Sequence, residues 1–234
     1  MLIVVNLIVF AVMVAAAPAS ERLLFSVPEA IRFGAIRTAE LDRGEWWRLF
    51  AAMFLHGSPA HIAFNMIALY QLGLYLEPWY GSRRFLALYI GCGLASSAVS
   101  AWWFWSTNVA QLGASGAIMA LVGAGVVSAW RLGPRGRTFR NSLLVWGLVT
   151  VVNSVIATAN NAAHIGGFAS GALASLVFGR RGKDAIEQLS RDPRPPDDLA
   201  NGVTCPRCAA GNPQGSRFCG TCGADLPASS PTPT

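Results

Sequence analysis

Charged residues are scarce in this chain, and acidic residues are missing from a long stretch of it. Of the 234 residues, 13% are charged and 53% are hydrophobic, whereas a soluble domain usually carries about a quarter charged residues. No Asp or Glu lies between Glu77 and Asp184. These shortages exclude an ordinary water-soluble domain, and they leave that stretch without a carboxylate for catalysis.

In place of charges, the sequence has six apolar runs. They cover residues 2–17, 62–76, 85–105, 117–130, 143–157 and 165–178. With their small and mildly polar flanks, most reach the roughly 17–25 residues that cross a bilayer as a helix. We therefore predict an all-α, polytopic membrane protein in which residues 1–183 form a bundle of six transmembrane helices.

The first apolar run has a second interpretation. The stretch MLIVVNLIVFAVMVAAAPAS has the short apolar core and small-residue end of a secretory signal, although no basic residue precedes the core. A cleaved signal and a retained, short first helix both remain open. Either leaves the topology of the other five runs unchanged.

The net charge of +6 comes largely from arginines in the short loops between apolar runs. Basic residues follow the second, fourth and sixth runs, at positions 83–84, 131–140 and 180–183. Because basic short loops stay in the cytoplasm, we predict a multi-pass protein of the cell membrane with both termini cytoplasmic. The charge sets orientation on this interpretation, and no nucleic acid is expected as a partner.

The chain changes character after Lys183. Residues 184–204 are polar and rich in Pro and Asp, which is typical of a linker, and residues 227–234 are expected to be disordered. Between them, residues 205–226 hold two C-x-x-C pairs: Cys205, Cys208, Cys219 and Cys222. Each pair places two thiolates around one ion, so we predict a zinc ribbon with one structural Zn²⁺. Disulfides and iron are the alternatives, although cytoplasmic thiols stay reduced.

Four polar residues are expected at similar depth in the outer half of the membrane. His61 and Asn65 open the second predicted span on one helical face, Ser115 begins the fourth span, and His164 begins the sixth. Taken singly, each has an ordinary structural explanation: a serine bonding its own backbone, a histidine at the interface, an asparagine joining helices. Four together are costly in hydrocarbon and indicate function.

Stripes of small residues indicate how Ser115 and His164 meet. The fourth span carries small residues at every fourth position, and so does the sixth; the stripes are Gly116, Ala120, Ala124 and Ser128, and Ala163, Gly167, Gly171 and Ser175. Such stripes let helix backbones approach closely in a membrane. Ser115 and His164 flank the first positions of the two stripes, so facing stripes would bring the hydroxyl to the imidazole.

A serine beside a histidine provides a nucleophile and its general base for acyl transfer. A triad would add a carboxylate to orient the imidazole, but the surrounding stretch has no acid, so only Glu77 or the outer loop could supply one. Glu77 is predicted at the opposite, cytoplasmic end. We therefore predict a Ser115–His164 dyad that needs no catalytic cofactor. His61, Asn65 and the Ser115 backbone N–H are the donors available for an oxyanion.

In these residues the chain resembles the rhomboid family of intramembrane serine proteases. The motifs are GEWWR at 44–48, FLHGSPAHIAFN at 54–65, GASG at 113–116, and AHIGG at 163–167 followed by Gly171. The resemblance implies a six-helix core with a water-filled cavity open to the outside. It implies Ser115 as nucleophile, His164 as base, and an oxyanion hole of His61, Asn65 and the amide of Ser115.

The resemblance also implies structural roles and shows one departure. The structural residues are Glu45, Trp47, Arg48, Gly113, Gly116, Gly167, Gly171 and Glu77, the last as a buried carboxylate that ties loops together below the second span. Many members carry an aromatic residue four places after the serine, where this chain has Met119. Because methionine can pack against an imidazole edge, we expect altered rather than absent activity.

The leading functional hypothesis is an endopeptidase that cleaves transmembrane segments of membrane proteins near their outer end. A non-catalytic rhomboid-like protein that binds membrane clients is the alternative. A channel or transporter is disfavoured because no inverted repeat is visible. The expected partners are transmembrane protein substrates, the lipid bilayer and a cytoplasmic protein bound by the zinc ribbon.

Overall fold

The computed structural model describes residues 1–131, 133–156, 160–178, 203–212, 218 and 224–227, with backbone alone at 134, 135 and 151–156. The chain divides into two compact units, Met1–Lys183 and Asp184–Thr234. In its described part, the first unit contains ten α-helices: α1 (Leu2–Ala16), α2 (Val27–Phe33), α3 (Thr38–Asp42), α4 (Arg48–Ala51), α5 (Pro59–Tyr80), α6 (Ser82–Ala87), α7 (Gly93–Trp103), α8 (Ser115–Arg131), α9 (Arg137–Ile156) and α10 (Asn161–Phe178). Three short 3-10 turns lie at Ala19–Glu21, Ala52–Phe54 and Gly133–Gly136.

The long helices coincide with the six apolar runs. α6 and α7 are joined by a π-helical turn, Leu88–Cys92, into one continuous helix, Ser82–Trp103, of 22 residues. Among the described residues, that helix is the one long and apolar enough to cross a membrane by length and composition, and α1 and α8 are shorter apolar helices. The helical fold class is thus observed, while the count of six spans stays a prediction.

α8 is the central helix of the first unit. It packs against α5, α7, α9 and α10, and Ala120, Leu121 and Ala124 are fully buried. Large apolar side chains instead cover much of the outside, as Phe64 and Trp130 show. Small residues inside and large apolar residues outside are the arrangement expected where helices associate in lipid.

The small-residue stripes of α8 and α10 face each other, which confirms that part of the prediction. A Cβ added to Gly167 would overlap the carbonyl of Gly116, and one added to Gly171 would overlap the carbonyl of Ala120. Farther along the same seam, the hydroxyls of Ser128 and Ser175 are hydrogen-bonded at 3.2 Å. The two backbones are therefore in direct contact along the seam.

The segment before α5 folds over one end of the bundle around a buried arginine. Arg48 donates to the carbonyls of Ile31 at 2.6 Å and Ala35 at 3.1 Å, pairs with Glu45 at 2.7 Å, and lies over the Trp47 ring at 4.8 Å. These bonds join α4 to the end of α2. Nearby, the Arg37 guanidinium donates to Glu40 and holds the pKa of that buried carboxyl below its ordinary value.

The expectation that Glu77 is a buried carboxylate is wrong. Glu77 is exposed, and within the described residues its carboxylate has no hydrogen bond or ion pair. The buried face of α5 is formed by Leu69, Leu72, Leu76 and Tyr80. Glu77 follows Leu76 and is rotated from it by about 100° around the helix, which turns its side chain away from the core.

The described part of the second unit contains a short antiparallel hairpin. Strand β1 (Val203–Thr204) pairs with β2 (Gly211–Asn212), with Val203 opposite Asn212. Cys205 and Cys208 lie in the connection, and Cys205 is buried while Cys208 is exposed. Cys219 and Cys222 fall outside the described residues. No metal-binding group of three or more ligating side chains occurs in the part that is described, so the zinc site stays a prediction.

Candidate active site

Ser115 is the first residue of α8, at the end of a tightly held loop. Gly113 has φ +125, a conformation that side chains other than glycine rarely adopt. Its N–H donates to the carbonyl of Ala52 at 2.8 Å, and the helix begins with the bond from the Ile118 N–H to the Ala114 carbonyl at 2.9 Å. The loop therefore presents the serine side chain beside the free N–H groups of a helix N-terminus.

His164 lies in the first turn of α10 and is buried, with 4% of its surface exposed. Its Nε2 is 2.8 Å from Ser115 Oγ. The α8–α10 seam sets this distance, because the backbone contacts of Gly116 with Gly167 begin directly beside the two side chains. The structure thus brings together the two residues that the sequence predicts as nucleophile and base.

His61 stands beside the same loop. α5 begins at Pro59, and the Ser58 hydroxyl accepts from the His61 N–H at 3.2 Å, as an N-cap residue does. The His61 ring reaches Gly113: a Cβ there would lie 3.0 Å from Nε2 and 3.7 Å from Ser115 Oγ. His61 Nε2 and Ser115 Oγ therefore both lie within 4 Å of the position that a side chain at Gly113 would take.

Hydrogen bonding indicates which nitrogen of His61 carries the proton. Its Nδ1 faces the backbone N–H of Gly57 at 3.4 Å and accepts from it. A neutral imidazole that accepts at Nδ1 carries its hydrogen on Nε2. The nitrogen nearest Ser115 is then a donor, which is the property that an oxyanion hole requires.

Asn65 lies one turn farther along α5, on the same face as His61. It is buried, and its Nδ2 donates to the His61 carbonyl at 3.0 Å. One Nδ2 hydrogen is engaged in that bond, and the other remains for a second acceptor because an amide nitrogen carries two. Asn65 therefore lies on the same face of α5 as His61, with one amide hydrogen available to a further acceptor.

The side chain of Met119, one turn after Ser115, extends toward α9. Met119 is buried, and its terminal methyl would lie 3.7 Å from a Cβ added to Gly147. We therefore find this residue in the contact between α8 and α9. Its expected packing on the imidazole edge of His164 stays a prediction.

Several polar residues near the dyad received no role from the sequence. A cavity of about 30 Å³ adjoins Ser115, and its polar lining comprises Ser96, Ser97, Ser100, Gln111 and Asn160. His56 is fully buried, with its ring 5.0 Å from that of His61. The serines of α7 recur at helical spacing. A polar stripe of this kind in an apolar run is the sequence feature from which these residues could have been identified.

Comparison with known proteins gives one family. A model described as "Rhomboid domain" matches residues 43–181, more than half of the chain. The chain is 35% identical over 153 residues to "Rhomboid protease GluP" of Bacillus subtilis, which covers 64% of this chain and 29% of that protein. It is 31% identical over 159 residues to "Rhomboid protease AarA" of Providencia stuartii, covering 58% of this chain and 57% of that protein.

A plant relative matches at similar strength. "RHOMBOID-like protein 5" of Arabidopsis thaliana is 32% identical over 166 residues, which cover 69% of this chain and 54% of that protein. The chain thus spans between 29% and 57% of the length of these three relatives. All three matches are long enough to take in most of the helical unit.

Proposed function

Because this chain belongs to the rhomboid family, whose members are multi-pass membrane proteins, we propose that it is an intramembrane serine endopeptidase. Its substrates would be membrane proteins, cleaved within a transmembrane segment near the outer end. The observation that carries the proposal is the 2.8 Å contact between Ser115 Oγ and His164 Nε2. Two of the relatives are named as rhomboid proteases.

The geometry supports a two-step acyl transfer. Ser115 Oγ attacks the scissile carbonyl while His164 Nε2 accepts the hydroxyl proton, and the imidazolium then gives that proton to the leaving amine. A water molecule, deprotonated by His164, hydrolyses the acyl-enzyme and restores the dyad. These steps need no cofactor.

Donors for the developing oxyanion surround the nucleophile. The Ser115 N–H lies at the start of α8, where the first N–H groups have no partner within the helix and carry the positive end of its dipole. His61 Nε2 adds a side-chain donor beside Gly113. Asn65 is the third member of the proposed set, one turn deeper on α5. Preorganised donors of this kind stabilise charge that appears only in the transition state.

Cleavage within a transmembrane segment imposes a condition on the substrate. The carbonyls of a stable helix are held in internal hydrogen bonds, so the helix must open locally before Ser115 can attack. Substrates are therefore expected to carry small or helix-breaking residues near the cleavage point. In the proposed orientation, with both termini cytoplasmic, that point lies toward the outer face.

The first prediction tests the dyad directly. Ser115→Ala and His164→Ala should each abolish cleavage of a model transmembrane substrate and labelling by a fluorophosphonate, and the double variant should be no worse. In a soluble serine protease, loss of either member of such a pair cost about 10⁶ in kcat. The measurement uses purified protein in liposomes.

Ser128→Ala is the matched control, because Ser128 is a buried hydroxyl on the same helix and pairs with Ser175 at the far end of the seam. It should keep its activity. Cleavage by Ser115→Ala at the rate of the unmodified protein would refute the proposal. Binding of membrane clients without cleavage or labelling by the unmodified protein would establish the non-catalytic alternative.

A further inference from the structure

Three polar side chains from three separate segments meet beside the dyad. Asn160 Nδ2 donates to Gln111 Oε1 at 2.9 Å and also to Ser100 Oγ, and Ser100 Oγ donates to Gln111 Oε1. Gln111 and Ser100 are buried, with 5% and 1% of their surfaces exposed. We call these three residues the polar clamp.

The polar clamp joins the elements that carry the nucleophile and the base. Ser100 belongs to α7, Gln111 lies four residues before Ser115, and Asn160 lies four residues before His164. The three residues belong to three different segments of the chain, so their hydrogen bonds hold three backbone segments together at one point. A fully bonded polar network in a region of low dielectric holds its geometry strongly.

Further hydrogen bonds hold the segments that join the clamp to Ser115 and His164. Gln111 exchanges two hydrogen bonds with Ile36, both 2.8 Å, so the loop leading to Ser115 is held on its other side as well. Asn160 Oδ1 accepts from the Ala163 N–H at 3.0 Å and so caps the turn that carries His164. Ser96 of α7 adds a bond to the Ala163 carbonyl at 2.7 Å.

The chemistry of the dyad explains why such support is needed. In a Ser-His-Asp triad, a carboxylate bonded to the imidazole holds the ring in its working orientation. No Asp or Glu lies between Glu77 and Asp184. His164 is carried by the first turn of α10 and Ser115 by the loop before α8, so the placement of these two segments affects the distance between the two side chains. Besides the dyad contact itself, the clamp links those two segments directly through side chains.

We propose that Ser100, Gln111 and Asn160 are positioning residues that set the separation of Ser115 Oγ and His164 Nε2. This inference rests on the proposed function, since it concerns the reactivity of the same pair. Gln111 is the residue on which it depends most, because its Oε1 accepts from both partners. None of the three is proposed to touch substrate.

Gln111→Met keeps the size of the side chain and removes both accepting contacts. A misplacement of about 1 Å at a reacting centre can cost about 10²-fold in rate, so kcat should fall between about tenfold and hundredfold. KM should stay unchanged, and the rate of Ser115 labelling by a fluorophosphonate should fall in parallel. Gln111→Glu, which restores an oxygen facing both donors, should recover most of the labelling rate.

The test compares these variants with Ser128→Ala, which removes the buried hydrogen bonds of Ser128 to Ser175 in α10 and to Tyr80 in α5, away from the site. Thermal stability is measured alongside, and Ser100→Ala replaces Gln111→Met if the latter does not insert. A loss of labelling in Gln111→Met beyond that of Ser128→Ala at equal stability, with recovery in Gln111→Glu, supports the clamp. Labelling of Gln111→Met at the unmodified rate, or an equal loss in Ser128→Ala, overturns it.

The assays give a different result if the proposed protease function itself is wrong than if only the clamp proposal is wrong. If the protein is not a serine protease, the unmodified chain is itself unlabelled and does not cleave. The clamp proposal fails alone when the unmodified chain is active, Ser115→Ala is inactive, and Gln111→Met behaves like the unmodified chain. The two failures are therefore distinguishable in one set of assays.

Discussion

Gly113 combines a backbone requirement with a steric one. Its φ of +125 suits glycine alone, and a Cβ at this position would lie 3.0 Å from the His61 ring. Because that ring is the proposed side-chain donor for the oxyanion, the two requirements have different consequences. Backbone strain lowers stability, whereas displacement of the ring lowers the rate.

A pair of alanine variants separates these consequences. Gly113→Ala should destabilise the protein by about 1–2 kcal/mol from left-handed strain and should also reduce cleavage by about 10-fold or more, since one displaced oxyanion donor costs on the order of 10²–10³ in rate. Gly44→Ala is the control, because Gly44 has φ +89 and no atom within 4 Å of an added Cβ. Thermal unfolding and cleavage rates measure the two effects. Equal activity in both variants would exclude His61 from the oxyanion hole.

Among whole elements, the contact between α8 and α10 determines the site. The helices meet backbone to backbone at Gly116, Gly167 and Gly171, so their separation is smaller than side chains would permit. Ser115 and His164 stand at the first turns of these helices. A substitution that pushes the two backbones apart at these glycines would therefore alter the dyad without touching it.

Gly171→Ala tests that coupling. The added methyl would overlap the Ala120 carbonyl, so the helices must separate locally. Overpacking of a tight contact typically costs about 1–3 kcal/mol, and we expect a lower melting temperature together with slower labelling of Ser115. Gly73→Ala in α5 is the control, because its Cβ would meet only Phe85, at 3.9 Å. An unchanged melting temperature in Gly171→Ala would contradict the close seam.

Helices and seam were predictable from the sequence because their signals are local. The length of an apolar run predicts a membrane-spanning helix, and small residues at every fourth position predict a close contact between two helices. The orientation of Glu77 was not predictable, since α5 is apolar on nearly all sides and periodicity does not identify its buried face. The polar clamp was missed for another reason. Asn160 is 49 residues from Gln111 and 60 from Ser100, and no local pattern pairs residues so far apart.

At the scale of the whole chain, the family match and the division into units nearly coincide. The rhomboid model ends at residue 181, and the first compact unit ends at Lys183. The dyad, the oxyanion donors and the polar clamp all belong to that unit. The catalytic machinery proposed here is therefore complete without residues 184–234, and the second unit needs a separate physical explanation.

The described part of the second unit has very little core. Its buried cluster consists of Cys205 and Leu226, with Val203, Ala210 and Ala224 packed against them. So few apolar side chains cannot offset the entropy of ordering such a segment. The Cys205 N–H donates to the Ala210 carbonyl, and the Ala209 N–H donates to the Cys205 carbonyl, both at 2.9 Å, which folds the first C-x-x-C pair into a tight turn. A metal bound by four thiolates, as predicted from the two C-x-x-C pairs, would supply stability to such a unit.

The last prediction is that this unit binds one Zn²⁺ per chain and that proteolysis does not need it. Metal analysis of the purified protein should give stoichiometric zinc, and Cys205→Ser or Cys219→Ser should lose it. Cys92→Ser is the control, because Cys92 is a buried cysteine of the π-helical turn. A chain ending at Lys183 should still cleave a model substrate, since four sulfur ligands leave the metal no open position for chemistry. Zinc well below one per chain, or disulfides in place of thiolates, would contradict the predicted zinc ribbon. A correctly inserted but inactive truncation would instead make the second unit part of the enzyme.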